Sequence, residues 1–204
     1  HPVIANLKNN LRFKLTSAQE RAWKDLLDDM ESSAPMNRLL QGDVGSGKTI
    51  IAILSLFHTA LSGYQSALMA PTEVLAVQEY NEIAGLIEDN NLPIKAGLLT
   101  GSVKQKEKKE IYEALESGEI DIIVGTHAII QDKIKFKDLG LVITDEQHRF
   151  GVGQRKALKD KSGEEDNPNI LVMSATPIPR TLAWILYGDL DISVMNQLPS
   201  GRKP

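Results

Sequence analysis

The sequence predicts a three-layer α/β domain, in which a mainly parallel sheet is covered by helices on both faces. Short apolar, β-branched runs alternate along the chain with longer segments of helical periodicity. These runs are apolar throughout instead of alternating with polar residues, which is typical of strands buried on both faces. The chain has 204 residues, of which 42 % are hydrophobic, and this length is sufficient for one domain with a sizeable core.

The helices are predicted from apolar residues at three- and four-residue spacing and from their capping residues. The first begins behind Thr16 as N-cap, with Gln19 in the capping-box position. The last is predicted to begin behind Ser102, with Gln105 in the same position, and to end at Gly118. The four predicted helices cover residues 16–31, 48–62, 71–89 and 102–117.

The strands are predicted from apolar runs that lie between these helices or follow them. A charged, turn-rich loop, "KDKSGEEDNPN", precedes the last run. The predicted strands cover residues 37–42, 66–70, 94–100, 120–126, 139–146 and 169–176. Because the chain opens without methionine, we expect it to be a piece of a longer protein, with residues 1–12 as a lead-in, 13–196 as the domain and 197–204 as a linker.

Composition excludes several classes of function. The formal net charge is −4, so bulk electrostatics do not indicate nucleic-acid binding and such binding must come from local features. The absence of cysteine excludes disulfides, thiolate zinc sites and a cysteine nucleophile, and it weakly favours a reducing compartment. The longest apolar run, 50–57, is too short to span a bilayer. We expect a cytoplasmic location.

The segment "LLQGDVGSGKTIIA" predicts a phosphate-binding loop, because it matches the pattern G-x-x-x-x-G-K-[ST] between a strand and a helix. Glycines allow backbone N–H groups to approach phosphates, Lys48 reaches the β- and γ-phosphates of ATP, and the Thr49 hydroxyl binds Mg²⁺. The alternative is a strand-to-helix turn that merely uses glycine. The residues expected to line the phosphates are Gly42, Asp43, Val44, Gly45, Ser46, Gly47, Lys48 and Thr49.

A pair of carboxylates follows the apolar run "LVIT". At the carboxyl end of a strand in an open α/β sheet, Asp145 suits the Mg²⁺ position and Glu146 suits orientation of the attacking water. An isolated Asp-Glu pair at this place is usually a solvated strand end. The preceding phosphate loop favours the catalytic interpretation.

Taken together, the motifs resemble those of superfamily 2 helicases, and more narrowly the first RecA-like motor domain of the RecG family of branched-DNA helicases. Gln147 and His148 after the carboxylates argue against the DEAD-box RNA helicases, and "YGDLDISVMNQLPSGR" is more similar to RecG than to the transcription-repair coupling translocases, the main alternative. The matching segments are "FKLTSAQ" (13–19), "GDVGSGKT" (42–49), "APTEVLA" (70–76), "LTGS" (99–102), "VGTHA" (124–128), "DEQHRFGVGQR" (145–155) and "SATPIPRTLA" (174–183).

The resemblance implies roles around the nucleotide. Gln19 recognises adenine, although a capping box explains it as well, and Phe13 packs on the base unless it is a hydrophobic staple. Gln147 and His148 join Lys48, Asp145 and Glu146 as catalytic residues beside the γ-phosphate. The residues implied to couple hydrolysis to movement are Ser174, Thr176 and Arg180.

The resemblance also implies DNA contacts where strands end and helices begin, since backbone N–H groups bind phosphates there without basic side chains. The lysine-rich segment "VKQKEKK" interleaves with glutamates and is typical of a solvated helix face. The implied contact residues are Pro71, Thr72, Glu73, Gly101, Ser102, Thr126 and His127.

The implied partners are branched or duplex DNA, together with a second RecA-like lobe and a wedge domain of the same polypeptide. Motifs of the second lobe, which supplies arginine fingers, do not occur in these 204 residues. We therefore expect the chain alone to hydrolyse Mg·ATP slowly or not at all. Two alternatives remain, a nucleotide-sensing binding module and a small-molecule kinase. The kinase interpretation would not explain "SATPIPRT".

Overall fold

The structure, a computed structural model, describes residues 1–43, 46–130, 134–146, 167–175, 179, 181–182, 185 and 190–195, without the side chains of residues 128, 130 and 146. Within these ranges seven parallel strands form one sheet. The strands are β1 Asn37–Gly42, β2 Gln65–Met69, β3 Ala96–Leu99, β4 Ile122–Gly125, β5 Leu139–Glu146, β6 Asn169–Ser174 and β7 Asp191–Met195.

The strand order is β3-β4-β2-β5-β6-β1-β7. Helices cover both faces of the sheet, as successive strand residues show: Leu68 belongs to one apolar cluster and Ala67 to another on the opposite face. The helices are α1 Pro2–Asn9, α2 Ser17–Glu31, α3 Lys48–Leu61, α4 Glu73–Asp89 and α5 Gln105–Ser117, followed by a 3₁₀ turn, His127–Ile130. The predicted α/β fold class is confirmed: a parallel sheet between two layers of helices.

Helix α3 is the central element of the larger cluster, and it packs against β1, β2 and β5 as well as α1 and α2. Most of its apolar residues, including Ile53 and Phe57, are fully buried. A helix that is apolar over most of its surface needs such enclosure, because exposure of these side chains would forfeit their burial energy. The start of α3 is thereby fixed relative to the end of β1, which places the loop between them.

Helix α1 and strand β7 were not predicted, nor was the short 3₁₀ turn. The buried residues of helix α1 are Ile4 and Leu7, with Val3 partly buried beside them, and so few apolar residues give no periodic signal. Strand β7 lies at the edge beside β1 and is half polar, with Asp191 and Val194 exposed. Both elements are identifiable only once their packing partners are known.

An ion-pair network holds the edge strand β7 in place. Arg38 of β1 donates to the Asp29 carboxylate on α2 at 2.7 Å and to the Ser193 hydroxyl on β7 at 3.0 Å. The Ser193 hydroxyl in turn donates to Asp25 at 2.8 Å. Because the Arg38 guanidinium is largely buried, these partners are needed to offset its desolvation. The network joins α2, β1 and β7 near the start of β1.

The predicted N-cap of α5 is wrong. The helix begins at Gln105 with Lys104 at the N-cap, which makes no side-chain cap, whereas the predicted end at Gly118 is confirmed by its left-handed φ of 83°. Ser102 interacts instead with the carboxylate of Glu73, whose pKa it lowers. A tertiary contact therefore displaces the local capping box that the sequence pattern indicated.

None of the helices in the described ranges combines the length and apolar character that a membrane crossing requires.

Candidate functional site

The glycine-rich loop joins β1 to α3 in the arrangement that the phosphate-loop pattern predicts. Gly47 is the N-cap residue of α3 with φ 85°, a left-handed conformation that favours glycine, and it offers no side-chain cap to the helix. The first N–H groups of α3 therefore point to the loop without a side-chain partner at the N-cap, which is the arrangement that binds anions. Val44 and Gly45, also predicted to line the phosphates, lie outside the described residues.

The beginning of the loop has no space for a side chain at residue 42. A Cβ on Gly42 would lie 2.6 Å from the Ser46 hydroxyl oxygen and 2.8 Å from the carbonyl oxygen of Met195 on β7. The Ser46 hydroxyl is itself buried and has no hydrogen-bond partner among the described residues. Such a buried hydroxyl requires a partner, and a nucleotide phosphate is of the right chemistry to supply one.

Lys48 lies in the same loop and is directed into it. Its ammonium donates to the Gly42 carbonyl at 2.5 Å. Burial lowers the pKa of Lys48, while the carboxylates of Asp145 and Asp43 act in the opposite direction. The structure therefore brings Lys48 and Asp145 into electrostatic contact across β6, as the catalytic interpretation requires.

The predicted carboxylates are the last two residues of β5, and a row of residues links them to the phosphate loop. Glu146 pairs with Ser174 at the end of β6, and Ser174 pairs with Gln41 at the end of β1. The carboxyl ends of three neighbouring strands thus meet at one edge, which is where ligands bind in open α/β sheets. The side chain of Glu146 and residues Gln147, His148, Thr176 and Arg180 lie outside what the structure describes.

The oxygen ligands at this edge suit Mg²⁺ better than a metal ion whose ligands all come from protein side chains. No group of three or more His, Cys, Asp or Glu residues in the described ranges could hold a metal. The predicted ligands are the Thr49 hydroxyl at the start of α3 and the Asp145 carboxylate at the end of β5. Mg²⁺ is commonly bound by one or two protein oxygens, with phosphates and water completing the shell.

A second buried carboxyl group lies against Asp145 and was not predicted from the sequence. Glu79 on α4 is 6 % exposed, and its side chain hydrogen-bonds to that of Asp145. Burial, followed by this hydrogen bond and the negative charges of Asp145 and Glu82, raises the pKa of Glu79 from 4.5 to about 9. Burial therefore favours the protonated form of Glu79 at neutral pH in the metal-free protein.

Replacing Glu79 with glutamine is expected to reduce the pH dependence of stability in metal-free buffer. Between pH 4.5 and about 9 the unfolded state releases the Glu79 proton and the folded state keeps it, so raising the pH favours unfolding of the wild type. The free energy of unfolding should fall by up to about 4 kcal/mol from pH 5 to pH 8, at 1.4 kcal/mol per unit. Urea unfolding at both pH values measures it.

The Glu79→Gln variant keeps an N–H donor for Asp145 but does not titrate, so it should be more stable than the wild type at pH 8 and similar to it at pH 5. Glu88→Gln, at an exposed position of the same helix, is the matched control and should leave the wild-type dependence unchanged. An identical slope in Glu79→Gln and the wild type would show that Glu79 is ionised in the folded protein.

The capping-box explanation of Gln19 is confirmed. Its side-chain oxygen accepts from the Thr16 N–H at 2.8 Å, and the Thr16 hydroxyl accepts from the Gln19 N–H at 3.1 Å. The remaining amide N–H₂ group donates to the Gly47 carbonyl at 3.4 Å, so Gln19 joins α2 to the phosphate loop. Its role toward adenine stays a prediction.

Phe13 is 52 % exposed, and Arg12 lies over its ring at 5.8 Å from the ring centre. Its exposure does not fit a hydrophobic staple. Leu15, the residue directly before the N-cap, packs against the core instead. Base packing by Phe13 stays a prediction, and its ring is accessible for it.

The predicted DNA contacts follow three neighbouring strands, β3, β4 and β2. Thr72 caps α4 by accepting from the Leu75 N–H at 3.2 Å, which leaves the first N–H groups of the helix free of partners inside it. Thr72, Gly101, Ser102 and His127 are exposed. The structure thus brings these segments together at the same edge of the sheet as the phosphate loop, while their contact with DNA remains a prediction.

The lysine-rich face of α5 is exposed to solvent, as predicted. Lys104, Lys106 and Lys109 are exposed, and Glu107 and Glu110 lie beside them in the same segment. A mixed-charge face of this kind keeps a helix soluble and does not by itself mark a nucleic-acid site.

A parallel α/β sheet, with a glycine-rich phosphate loop after β1 and acidic residues ending β5, defines a P-loop nucleotide-binding domain. The family model for DEAD/DEAH box helicases matches residues 16–184, and the chain belongs to this family. Within it, the resemblance to RecG is confirmed. The chain is 52 % identical to the ATP-dependent DNA helicase RecG of Streptococcus pneumoniae over 98 % of its length and 58 % identical to that of Aquifex aeolicus over 95 %.

Solved structures agree with this assignment. A structure of RecG bound to a three-way DNA junction aligns with 99 % of the chain at a TM-score of 0.83 and 45 % identity, covering 26 % of that protein. The helicase MrfA bound to DNA aligns with 98 % of the chain and 30 % of its own length at a TM-score of 0.74, and at 18 % identity it shows the fold alone. The chain spans 29 % and 24 % of the two curated relatives.

Proposed function

We propose that this chain is the ATP-binding motor lobe of a DNA helicase that remodels branched DNA, such as forks and junctions, in recombination and repair. The observation that carries the proposal is the division of one sheet edge. The nucleotide residues follow β5, β6 and β1, and the DNA-contacting segments follow β3, β4 and β2 directly beside them. A movement of the nucleotide-binding residues when ATP binds would therefore also shift the neighbouring segments that contact DNA.

The residues have separate tasks in this proposal. Lys48 and the N–H groups at the start of α3 bind the β- and γ-phosphates, and Asp145 and Thr49 hold Mg²⁺. Glu146 orients the attacking water. The residues that couple ATP hydrolysis to movement are Gln147, His148, Ser174, Thr176 and Arg180. The metal, when bound, neutralises charge that develops on the phosphates.

The partners in this proposal are branched or duplex DNA and, in the same polypeptide, a second RecA-like lobe and a wedge domain. The second lobe supplies arginine fingers, whose absence costs about 10³ to 10⁵ in rate. The proposed location is the cytoplasm.

The experiment that tests the function is steady-state ATP hydrolysis by the intact polypeptide, with and without forked DNA. We expect forked DNA to raise kcat at least about tenfold, and Glu146→Gln to abolish turnover while ATP still binds, because only the water-orienting carboxylate is lost. The isolated chain should bind ATP and turn over slowly in both conditions.

Absence of DNA stimulation in the intact polypeptide would contradict the motor function and favour a nucleotide-sensing module. Equal stimulation by linear duplex and by forks would favour the motor lobe of a transcription-repair coupling translocase. Normal turnover by Glu146→Gln would show that another group orients the water.

A further inference from the structure

Glu73, the first residue of α4, carries a negative charge in the middle of the surface proposed to contact DNA phosphates. A carboxylate accepts hydrogen bonds but cannot donate them, so Glu73 is a poor ligand for a phosphate. Its contacts show a different use.

The Glu73 carboxylate accepts hydrogen bonds from the loop that follows β3. The Thr100 hydroxyl donates to it at 2.8 Å. The hydroxyl and backbone N–H of Ser102 also interact favourably with the carboxylate. The hydrogen bond from the Ser102 hydroxyl, followed by that from Thr100, lowers the pKa of Glu73. The carboxylate is therefore charged at neutral pH and occupied by protein donors.

These bonds join segments that are not neighbours in the sheet. Helix α4 follows β2 and the Thr100–Ser102 loop follows β3, and β4 lies between those two strands. Thr100 is buried next to Leu99 of the core, so the loop is fixed at its base and Glu73 fixes its outer part. The turn is completed by the Val103 N–H, which donates to the Thr100 carbonyl at 3.2 Å.

We propose that Glu73 is a positioning residue, which locks the loop 100–103 against the N-terminus of α4 so that the backbone N–H groups of both present one rigid surface to a DNA strand. This inference rests on the proposed function for the presence of DNA. In this inference Glu73 does not contact DNA itself. It holds in place the residues that do, namely Gly101, Ser102 and the start of α4.

A positioning role for Glu73 and a simple charge effect predict opposite changes in DNA affinity when Glu73 is removed. If Glu73 acts only through its charge, its removal relieves repulsion with phosphates and tightens DNA binding. If Glu73 holds the loop, its removal weakens binding despite the gain in net charge. The sign of the change therefore decides between them.

The experiment is DNA binding and DNA-stimulated ATP hydrolysis by the intact polypeptide at one fixed salt concentration, with the variants Glu73→Ala and Glu73→Gln. We expect Glu73→Ala to raise the Kd for forked DNA about tenfold, equivalent to one lost backbone contact, with the KM for ATP unchanged. Glu73→Gln should stay within about threefold of the wild type, because its amide oxygen still accepts from Thr100 or Ser102.

Glu107→Ala removes the same charge from an exposed place in the first turn of α5, and it should leave DNA binding unchanged or slightly tighter. Amide hydrogen exchange gives a readout that needs no DNA: residues 101–103 should exchange faster in Glu73→Ala than in the wild type. Tighter DNA binding by Glu73→Ala, or unchanged exchange, would overturn the inference. Absence of DNA stimulation in the wild type would instead contradict the proposed function, and with it the inference.

Discussion

Replacing Lys48 with alanine is expected to weaken ATP binding by about 10²- to 10³-fold, the value of two charge-assisted hydrogen bonds to the β- and γ-phosphates. The ammonium lies inside the phosphate loop, where it donates to the Gly42 carbonyl, and burial lowers its pKa. A bound phosphate adds negative charge beside the partly buried ammonium and offsets its desolvation. Titration of a fluorescent ATP analogue against the chain in the presence of Mg²⁺ measures the loss.

Lys24→Ala is the matched control, because it removes the same charge from an exposed position on α2 where Lys24 pairs with Asp28 at 2.9 Å. It should leave ATP affinity unchanged. In the intact polypeptide Lys48→Ala should also lose DNA-stimulated hydrolysis. If Lys48→Ala binds the nucleotide as tightly as the wild type does, the loop is a structural turn and the phosphates bind elsewhere.

The sequence predicted the strands and helices that carry strong apolar patterns, since burial on both faces of a sheet leaves few polar positions in a strand. The six predicted strands and four predicted helices all occur, with ends shifted by up to three residues. Strand β7 was not predicted because an edge strand has only one neighbouring strand, and its burial pattern is irregular: Ser193 is buried whereas Val194 is exposed.

The motif residues at the site were predictable because phosphate binding requires a fixed local spacing. Residues that act through tertiary contacts were not. Glu79 belongs to a helix whose sequence gives no reason to bury a carboxyl group, and only the fold brings it to Asp145. Ser102 has the spacing of an N-cap, but it interacts with Glu73, which precedes it by 29 residues. A local sequence pattern does not show that a residue distant in sequence competes for the same side chain.

Replacing Gly125 with alanine is expected to lower the free energy of unfolding by about 3 kcal/mol or more, because the end of β4 has no space for a side chain. A Cβ on Gly125 would lie 2.1 Å from the carbonyl oxygen of Leu99 on β3 and 3.1 Å from two atoms of Ile129. The first of these is a backbone atom of a paired strand, which cannot move without disturbing the sheet. Urea unfolding measures the change.

Gly85→Ala is the matched control in the neighbouring helix α4, where a Cβ meets no atom within 4 Å. The same substitution should there raise the free energy of unfolding by about 0.5 to 1 kcal/mol, since alanine loses less backbone entropy in a helix. Gly125 directly precedes Thr126 and pairs with Leu99, so its fit fixes how the loops after β3 and β4 lie together. If Gly125→Ala is as stable as the wild type, that register is wrong, and the proposed DNA surface built on those loops is wrong with it.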